Sequence, residues 1–151
     1  MEFLSKVNDT IPEIFGEIIK TYDFKVERIT SSATLLYKED YALYLASDRD
    51  YVNISFLKKE ENKIMNYWLH PFLMENLTDE DRSNTKKEDD LVTKLINYIL
   101  IYEKVLRTKS KNILLGQMDW VEEYNQTTSM RSIRELYPSQ YEKFRKVFYI
   151  E

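Results

Sequence analysis

Alternating apolar and polar positions in residues 34–57 form the clearest pattern in this chain. The segments TLLYK, YALYLAS and YVNISFL are separated only by Glu39-Asp40 and Asp48-Arg49-Asp50. Such alternation, broken by short charged turns, is typical of antiparallel strands joined by hairpins. It predicts a meander with one apolar face and one polar, tyrosine-bearing face. We expect helices to cover the apolar face only.

Segments with the apolar spacing of helices lie on both sides of this meander. Thr10–Tyr22 places apolar residues on one helical face behind a capping box of Thr10 and Glu13, and Thr85 with Glu88 forms a second box. The second box precedes a long helix that ends near Arg107 and carries an apolar stripe of Leu91, Leu95, Ile99, Tyr102 and Leu106. Two further strands are predicted, Phe24–Ile29 before the meander and Ile64–Leu69 as an edge strand that His70-Pro71 ends.

The polar segment Glu75–Asp90 is predicted to be a mobile loop, and the last third is predicted to form shorter helices. These helices are Asn112–Tyr124, Met130–Tyr137 and Pro138–Tyr149, the last with a capping box of Ser139 and Glu142. The sequence therefore predicts a single α+β domain over residues 1–151. It has an N-terminal helix, a three- to four-stranded antiparallel meander, a long helix and shorter C-terminal helices packed on one face of the sheet.

Composition narrows the possible chemistry. Hydrophobic residues make up 43% of the 151 positions, which is enough for a core, and cysteine is absent, which excludes disulfides and thiol chemistry. With two glycines and no glycine-rich phosphate-binding motif, we expect no nucleotide and no other cofactor. Apolar runs such as Tyr98–Tyr102 are far shorter than the roughly 20 residues of a membrane span. No secretory signal is evident, so we expect a cytoplasmic protein without a membrane partner.

Charge is unevenly distributed. The net charge is −4, and residues 1–102 contain 13 Lys and Arg against 19 Asp and Glu. An acidic balance disfavours contact with nucleic-acid phosphates and favours a basic partner. The remaining hint of nucleic-acid contact is a set of basic and aromatic residues near the C-terminus, diluted by Glu135, Glu142 and Glu151. That set comprises Arg131, Arg134, Tyr137, Tyr141, Lys143, Arg145, Lys146 and Tyr149.

Catalytic groups are sparse. His70 is the single histidine, and its functional interpretation is a general base paired with a carboxylate such as Glu75. We favour the simpler interpretation, a histidine that packs locally at the end of a strand. The acidic clusters Asp79–Asp81 and Glu88–Asp90 lack the ligand spacing of a calcium loop and suit helix N-termini instead. No catalytic residue or metal ligand is assigned, and the protein is not expected to be an enzyme.

The candidate function that remains is the binding of a protein partner through the surface. Tyrosine gives a large contact area at little cost in conformational entropy and is enriched in interfaces. The partner-binding residues predicted from this reasoning are Tyr44, Asp48, Arg49, Asp50, Tyr51 and Asn53.

The segment LLGQMDWVEEY, residues 114–124, together with the predicted order of elements, resembles small bacterial α+β proteins similar to immunity proteins of polymorphic and contact-dependent toxin systems. Gln117 departs from the pattern, because an acidic residue is often seen there. The resemblance implies a protein that binds and blocks a cognate toxin, without catalysis or cofactor. The acidic charge balance adds the expectation that this toxin is basic, for example a nuclease domain. Two alternatives stay open: a small enzyme that uses carboxylates or His70, and a nucleic-acid-associated regulator.

Overall fold

A computed structural model describes residues 2–127, 133–137 and 142–148. The helices are α1 (Glu2–Asp9), α2 (Ile11–Ile14), α3 (Gly16–Tyr22), α4 (His70–Met74), α5 (Leu91–Thr108), α6 (Lys111–Leu114), α7 (Val121–Thr127) and α8 (Arg145–Phe148), with a 3₁₀ turn at Glu142–Phe144. The strands are β1 (Lys25–Thr30), β2 (Ala33–Tyr37), β3 (Tyr41–Ser47), β4 (Val52–Glu60), β5 (Lys63–Trp68) and β6 (Ile133–Glu135). The α+β class predicted from the sequence is confirmed.

The strands form one antiparallel sheet in the order β1 to β6. Strands β1 to β5 are a meander, one strand longer than the upper limit predicted. Leu43 of β3 lies opposite Leu36 of β2 and Phe56 of β4, so these three side chains share a face. Because side chains alternate, Ala42 and Tyr44 point to the other face.

The main core lies on the Leu43 face, between the sheet and the helices. Helix α5 supplies Leu95, Ile99, Tyr102 and Leu106, all fully buried, whereas Leu91 at its start is 40% exposed. The predicted apolar stripe is therefore buried from the second turn of α5 onward. Helices α1 and α2 also contact α5, and they contribute Val7 and Ile11 to the same core.

The opposite face is partly covered as well. Residues 142–148 lie over it and form a second hydrophobic cluster with the sheet, and the buried members of this cluster are Leu35, Ala42, Leu57, Ile64, Leu136, Phe144, Val147 and Phe148. The prediction that helices cover one side only is thus incomplete. This face carries Tyr44, as expected of a polar face, but it also carries Leu35 and Leu57, which residues 142–148 cover.

Two predicted capping boxes are wrong. Thr10 does precede α2, but its hydroxyl donates to Val7 O at 2.6 Å rather than capping the helix. Helix α5 begins at Leu91, where Asp90 Oδ1 accepts the backbone N–H of Thr93 at 2.8 Å, and the predicted Thr85 box is not its start. An aspartate adjacent to the first turn is as good a cap as threonine, and it also stabilises the positive end of the helix dipole.

The predicted mobile loop is tied to α5. The buried side chain of Asn97 bonds both backbone groups of Lys86, donating to its carbonyl at 2.8 Å and accepting from its N–H at 3.0 Å. Farther along α5, Lys104 pairs with Glu80 at 3.0 Å. The segment between α4 and α5 therefore follows the helix along most of its length.

The C-terminal third differs most from the prediction. Residues 112–124 are not one helix, because α6 ends at Leu114 and Gly116 turns the chain with φ +74°. Ile133–Glu135, predicted to be helical, is strand β6 and pairs with Met65–Tyr67 of β5. Strand β5 is therefore an inner strand and not the predicted edge. Ser139 and Met130 lie outside the described residues, and Glu142–Phe148 is helical as expected.

Candidate functional site

The turn between β3 and β4 carries three of the predicted partner-binding residues, Asp48, Arg49 and Asp50, and all three are exposed. The backbone closes the turn, since Asp48 N–H donates to Tyr51 O at 2.9 Å and Asp48 Oδ1 accepts from Arg49 N–H at 2.7 Å. Within the described part of the chain, none of the three side chains forms an ion pair. The turn thus presents two carboxylates and one guanidinium to solvent.

An aromatic cluster begins directly after this turn. We use this name for Tyr51, Trp68, His70, Tyr98 and Tyr102. The imidazole of His70 is its centre: ring centroids lie 5.0 Å away for Tyr51, 5.9 Å for Tyr98, 6.0 Å for Trp68 and 6.1 Å for Tyr102. Tyr102 is fully buried, whereas the other four residues are half-buried.

Four elements position these rings. Strand β5 ends at Trp68, the buried Leu69 follows, and α4 begins at His70 with Pro71 in its first turn, where a missing N–H costs no hydrogen bond. Tyr98 and Tyr102 are four residues apart on α5, so they lie on one side of that helix. Tyr51 reaches the same place from the β3–β4 turn.

The hydrogen bonds of Tyr102 fix the tautomer of His70. The single phenolic proton of Tyr102 is donated to Val52 O. His70 Nδ1 lies 2.5 Å from the same phenolic oxygen, so Nδ1 must donate and Nε2 carries the lone pair. Burial lowers the pKa of His70 below its ordinary value of 6.5, which keeps the ring neutral at pH 7. Burial, and then Tyr98 and Tyr51, raises the pKa of Tyr102, which therefore stays a donor.

The Nε2 atom of His70 is open to solvent. Among the described side chains, Ser47 Oγ is the one polar atom that is fully buried without a hydrogen-bond partner. Nε2 has no partner in the described part of the chain, so it must be accessible. The site therefore offers a neutral, oriented acceptor in contact with Tyr51, which directly follows the turn that carries Asp48 and Asp50.

Asn53 and Tyr44 have different places relative to this cluster. Asn53 Oδ1 accepts the indole N–H of Trp68 and so holds one of the rings. Tyr44 lies under the C-terminal segment instead, with its ring 5.2 Å from Phe144 and its hydroxyl 3.1 Å from Lys143 Nζ. The structure thus brings five of the six predicted residues to one end of the sheet and places Tyr44 elsewhere.

The acidic segment after α4 serves a structural role at Asp81. Its carboxylate is 2% exposed, accepts from Lys109 Nζ at 2.5 Å and accepts the N–H of Thr78 at 2.9 Å. Burial alone would raise the pKa of Asp81, but these bonds together lower it. Asp81 and Glu75 line a cavity of about 220 Å³ between α4 and α5.

Glu75 is not the hydrogen-bond partner of His70 that the sequence predicts. His70 bonds Tyr102 instead.

The predicted nucleic-acid set is only partly described. Arg131, Tyr141 and Tyr149 lie outside the described residues, as do the side chains of Arg134, Arg145 and Lys146. Of the others, Lys143 lies over the ring of Tyr44 at 4.9 Å and Tyr137 is 71% exposed.

In the described ranges, no three or more His, Asp or Glu side chains are grouped so that they could hold a metal ion. Nor does any helix in those ranges have the length and apolar character needed to cross a bilayer. Comparison with models of protein families, with curated proteins and with solved structures finds no match to this chain.

Sequence reasoning missed Trp68, Tyr98 and Tyr102. The four-residue spacing of the two tyrosines is equally well explained by an apolar helix, so the sequence does not single them out. Only the packing of α5 against the end of β5 brings them to His70.

Proposed function

We propose that this protein is a non-catalytic binding module that acts by tight association with another protein, as an immunity protein that neutralises a toxin does. The observation that carries the proposal is the exposed pair Asp48 and Asp50, without ion pairs in the described structure, beside the half-buried rings of the aromatic cluster. Interfaces commonly combine aromatic anchors with a polar rim, and tyrosine and tryptophan are frequent hot spots.

The charge of the chain favours a basic partner. The net charge is −4, and the deficit of basic residues lies in residues 1–102, which include the turn and the cluster. Complementary charge accelerates association and suppresses wrong partners. A basic toxin domain, such as a nuclease, fits this requirement.

The test has two stages. Tagged protein is first used to capture its partner from native cells at moderate salt, and the bound protein is identified by mass spectrometry. The affinity of that partner is then measured for the wild type, for Asp48→Asn with Asp50→Asn, and for Glu39→Gln with Glu61→Gln. The last pair removes two exposed charges from turns at the opposite end of the meander.

We expect the aspartate pair to weaken binding about tenfold or more at low salt, mainly through slower association, and the glutamate pair to leave it nearly unchanged. High salt should reduce the difference between wild type and the aspartate variant. Equal affinity of both variants and the wild type at low salt would contradict the proposal.

A second candidate, catalysis centred on His70, is favoured by one specific observation. A neutral imidazole with a fixed Nδ1–H and an accessible Nε2 has the form of a general base. A hydrolase and nuclease substrate panel tests it. Turnover that His70→Gln abolishes in a protein that is still folded would replace the binding proposal with an enzymatic one, and no turnover by the wild type would remove the candidate.

A further inference from the structure

His70 Nε2 is a pre-oriented hydrogen-bond acceptor. Its orientation follows from a chain of two bonds, His70 Nδ1–H to Tyr102 Oη and Tyr102 O–H to Val52 O. The far end of this chain is rigid, because Tyr102 is fully buried and Val52 O belongs to a central strand. An acceptor held in this way loses little entropy when it binds a donor.

The surroundings of Nε2 favour a cationic donor. The faces of Tyr51 and Tyr98 carry the negative side of an aromatic quadrupole, which attracts ammonium and guanidinium groups. Asp48 and Asp50 stand one to three residues before Tyr51 in the same turn, and neither is neutralised by an ion pair in the described structure. A neutral or anionic donor would gain nothing from these carboxylates.

Guanidinium fits better than ammonium. It is planar and can stack on a ring while several N–H groups point outward in its plane. One N–H can bond Nε2 while others reach the carboxylates of the turn, whereas an ammonium acts as a compact point charge.

We infer that His70, through its neutral Nε2, is a specificity-determining residue that accepts a hydrogen bond from an arginine side chain of a protein partner, stacked on the aromatic cluster beside Asp48 and Asp50. This inference rests on the proposed function, since it names the chemistry by which the same surface would recognise its partner.

Binding of such a group must depend on pH. A protonated imidazole cannot accept at Nε2 and repels a guanidinium. The titratable groups in ring contact with His70 are the phenols of Tyr51, Tyr98 and Tyr102. The charged residues on the same elements are Asp48, Arg49 and Asp50 in the turn, Glu75 after α4, and Lys63 on β5. Helix α5 adds Lys94, the ion pair of Glu103 with Arg107, and Lys104, which pairs with Glu80. Acid therefore weakens the site by charging the imidazole.

The first measurement is ¹⁵N NMR of the imidazole at pH 7.5. We expect the Nδ1–H tautomer, and a predominant Nε2–H form would overturn the inference at once.

The second measurement is a titration with N-acetyl-arginine amide at constant ionic strength, with N-acetyl-lysine amide as the matched probe. We expect saturable shifts of His70 Nε2 and of the Trp68 indole with the arginine probe, at least threefold weaker binding of the lysine probe, and weaker binding of both probes as the pH falls and the imidazole is protonated.

The control variant is His70→Phe, which keeps a ring in the cluster and removes the acceptor. It should fold and lose most of the response of Trp68 to the arginine probe. An unchanged response, or equal affinity for the two probes, would overturn the inference. These outcomes do not depend on any partner, so they are separate from the partner-affinity test of the proposed function.

Discussion

At the scale of single residues, His70 makes the stability of the fold depend on pH. Burial lowers its pKa in the folded state below the ordinary value of 6.5. The unfolded chain therefore binds the proton first as the pH falls, and the fold loses stability between the unfolded pKa, near 6.5, and the lower folded pKa. Above that window the contribution is fully present.

We expect wild-type protein to lose more free energy of unfolding than His70→Phe when the pH is lowered from 7.5 to 5. Urea unfolding at several pH values measures this difference. Parallel pH profiles for the two proteins would show that His70 is not the group responsible.

Asp81 is a second residue whose surroundings determine how its contribution to stability depends on pH. It is an almost fully buried carboxylate that receives bonds from Lys109 and Thr78, and its pKa is lowered. Its contribution should therefore persist at neutral pH and disappear only as the pH falls below about 4, through the folded pKa. Asp81→Asn should cost about 1–3 kcal/mol at pH 7, because Lys109 loses its charged partner. Exposed Asp79→Asn is the matched control and should change the free energy of unfolding by less than about 0.5 kcal/mol.

At the scale of elements, the turn from α6 to α7 depends on Gly116. Its φ is +74°, and a methyl carbon there would lie 2.7 Å from Tyr41 Cζ. Tyr41 cannot move away easily, because its hydroxyl donates to Leu114 O at 2.8 Å and its ring stacks on Phe56. The bend between the two helices and the packing of Tyr41 on the sheet are thus one structural unit.

Gly116→Ala should destabilise the protein by more than about 1 kcal/mol, from backbone strain and the collision with Tyr41 together. Gly16→Ala is the matched control, since nothing lies within 4 Å of its added carbon and the residue begins α3. That variant should be stabilised by up to about 1 kcal/mol. Thermal unfolding of the two variants with the wild type measures both effects, and similar midpoints for the two would contradict the account of Gly116.

Strands were predicted better than helix ends. The alternation in residues 34–57 is a local property, so β2, β3 and β4 could be predicted close to their observed limits. Helix α5 had several possible caps within six residues, and tertiary contacts of Asn97 with Lys86 keep the earlier ones out of the helix. Strand β6 was missed because it gains its hydrogen bonds from β5, some 70 residues earlier in the chain.

The candidate site was predicted in separate pieces. The sequence predicts Tyr51 and Asn53 on a partner surface and gives His70 an alternative enzymatic role, without a link between them. Their proximity depends on where β5 ends relative to the β3–β4 turn, which no local pattern encodes. The tautomer of His70 requires Tyr102 and Val52, and it could not be predicted from the sequence at all.

At the scale of the whole molecule, the sheet separates two hydrophobic clusters. The larger lies under α1, α2 and α5, and the smaller lies under residues 142–148. Phe144 is 2% exposed and contacts Tyr44 edge to face, and together with the fully buried Phe148 it anchors the smaller cluster.

Phe144→Ala should cost about 3–5 kcal/mol if the whole protein unfolds as one unit. Leu115→Ala, at a side chain that is 54% exposed, is the control and should cost about 0.5 kcal/mol or less. Hydrogen exchange of the amides in 142–148 adds the second readout. Loss of protection there with an unchanged global free energy of unfolding would show that the smaller cluster opens independently.

The stacking of Trp68 on His70 also gives the protein its own optical reporter. The chain has two tryptophans, and Trp120 is 3% exposed, with its indole N–H bonded to Gln117 O in the larger core. Emission from Trp120 therefore follows the integrity of the core, whereas emission from Trp68 follows the charge and occupancy of the neighbouring imidazole. With Trp120 replaced by phenylalanine, selectively excited tryptophan emission would report on one end of the sheet alone, without any attached dye.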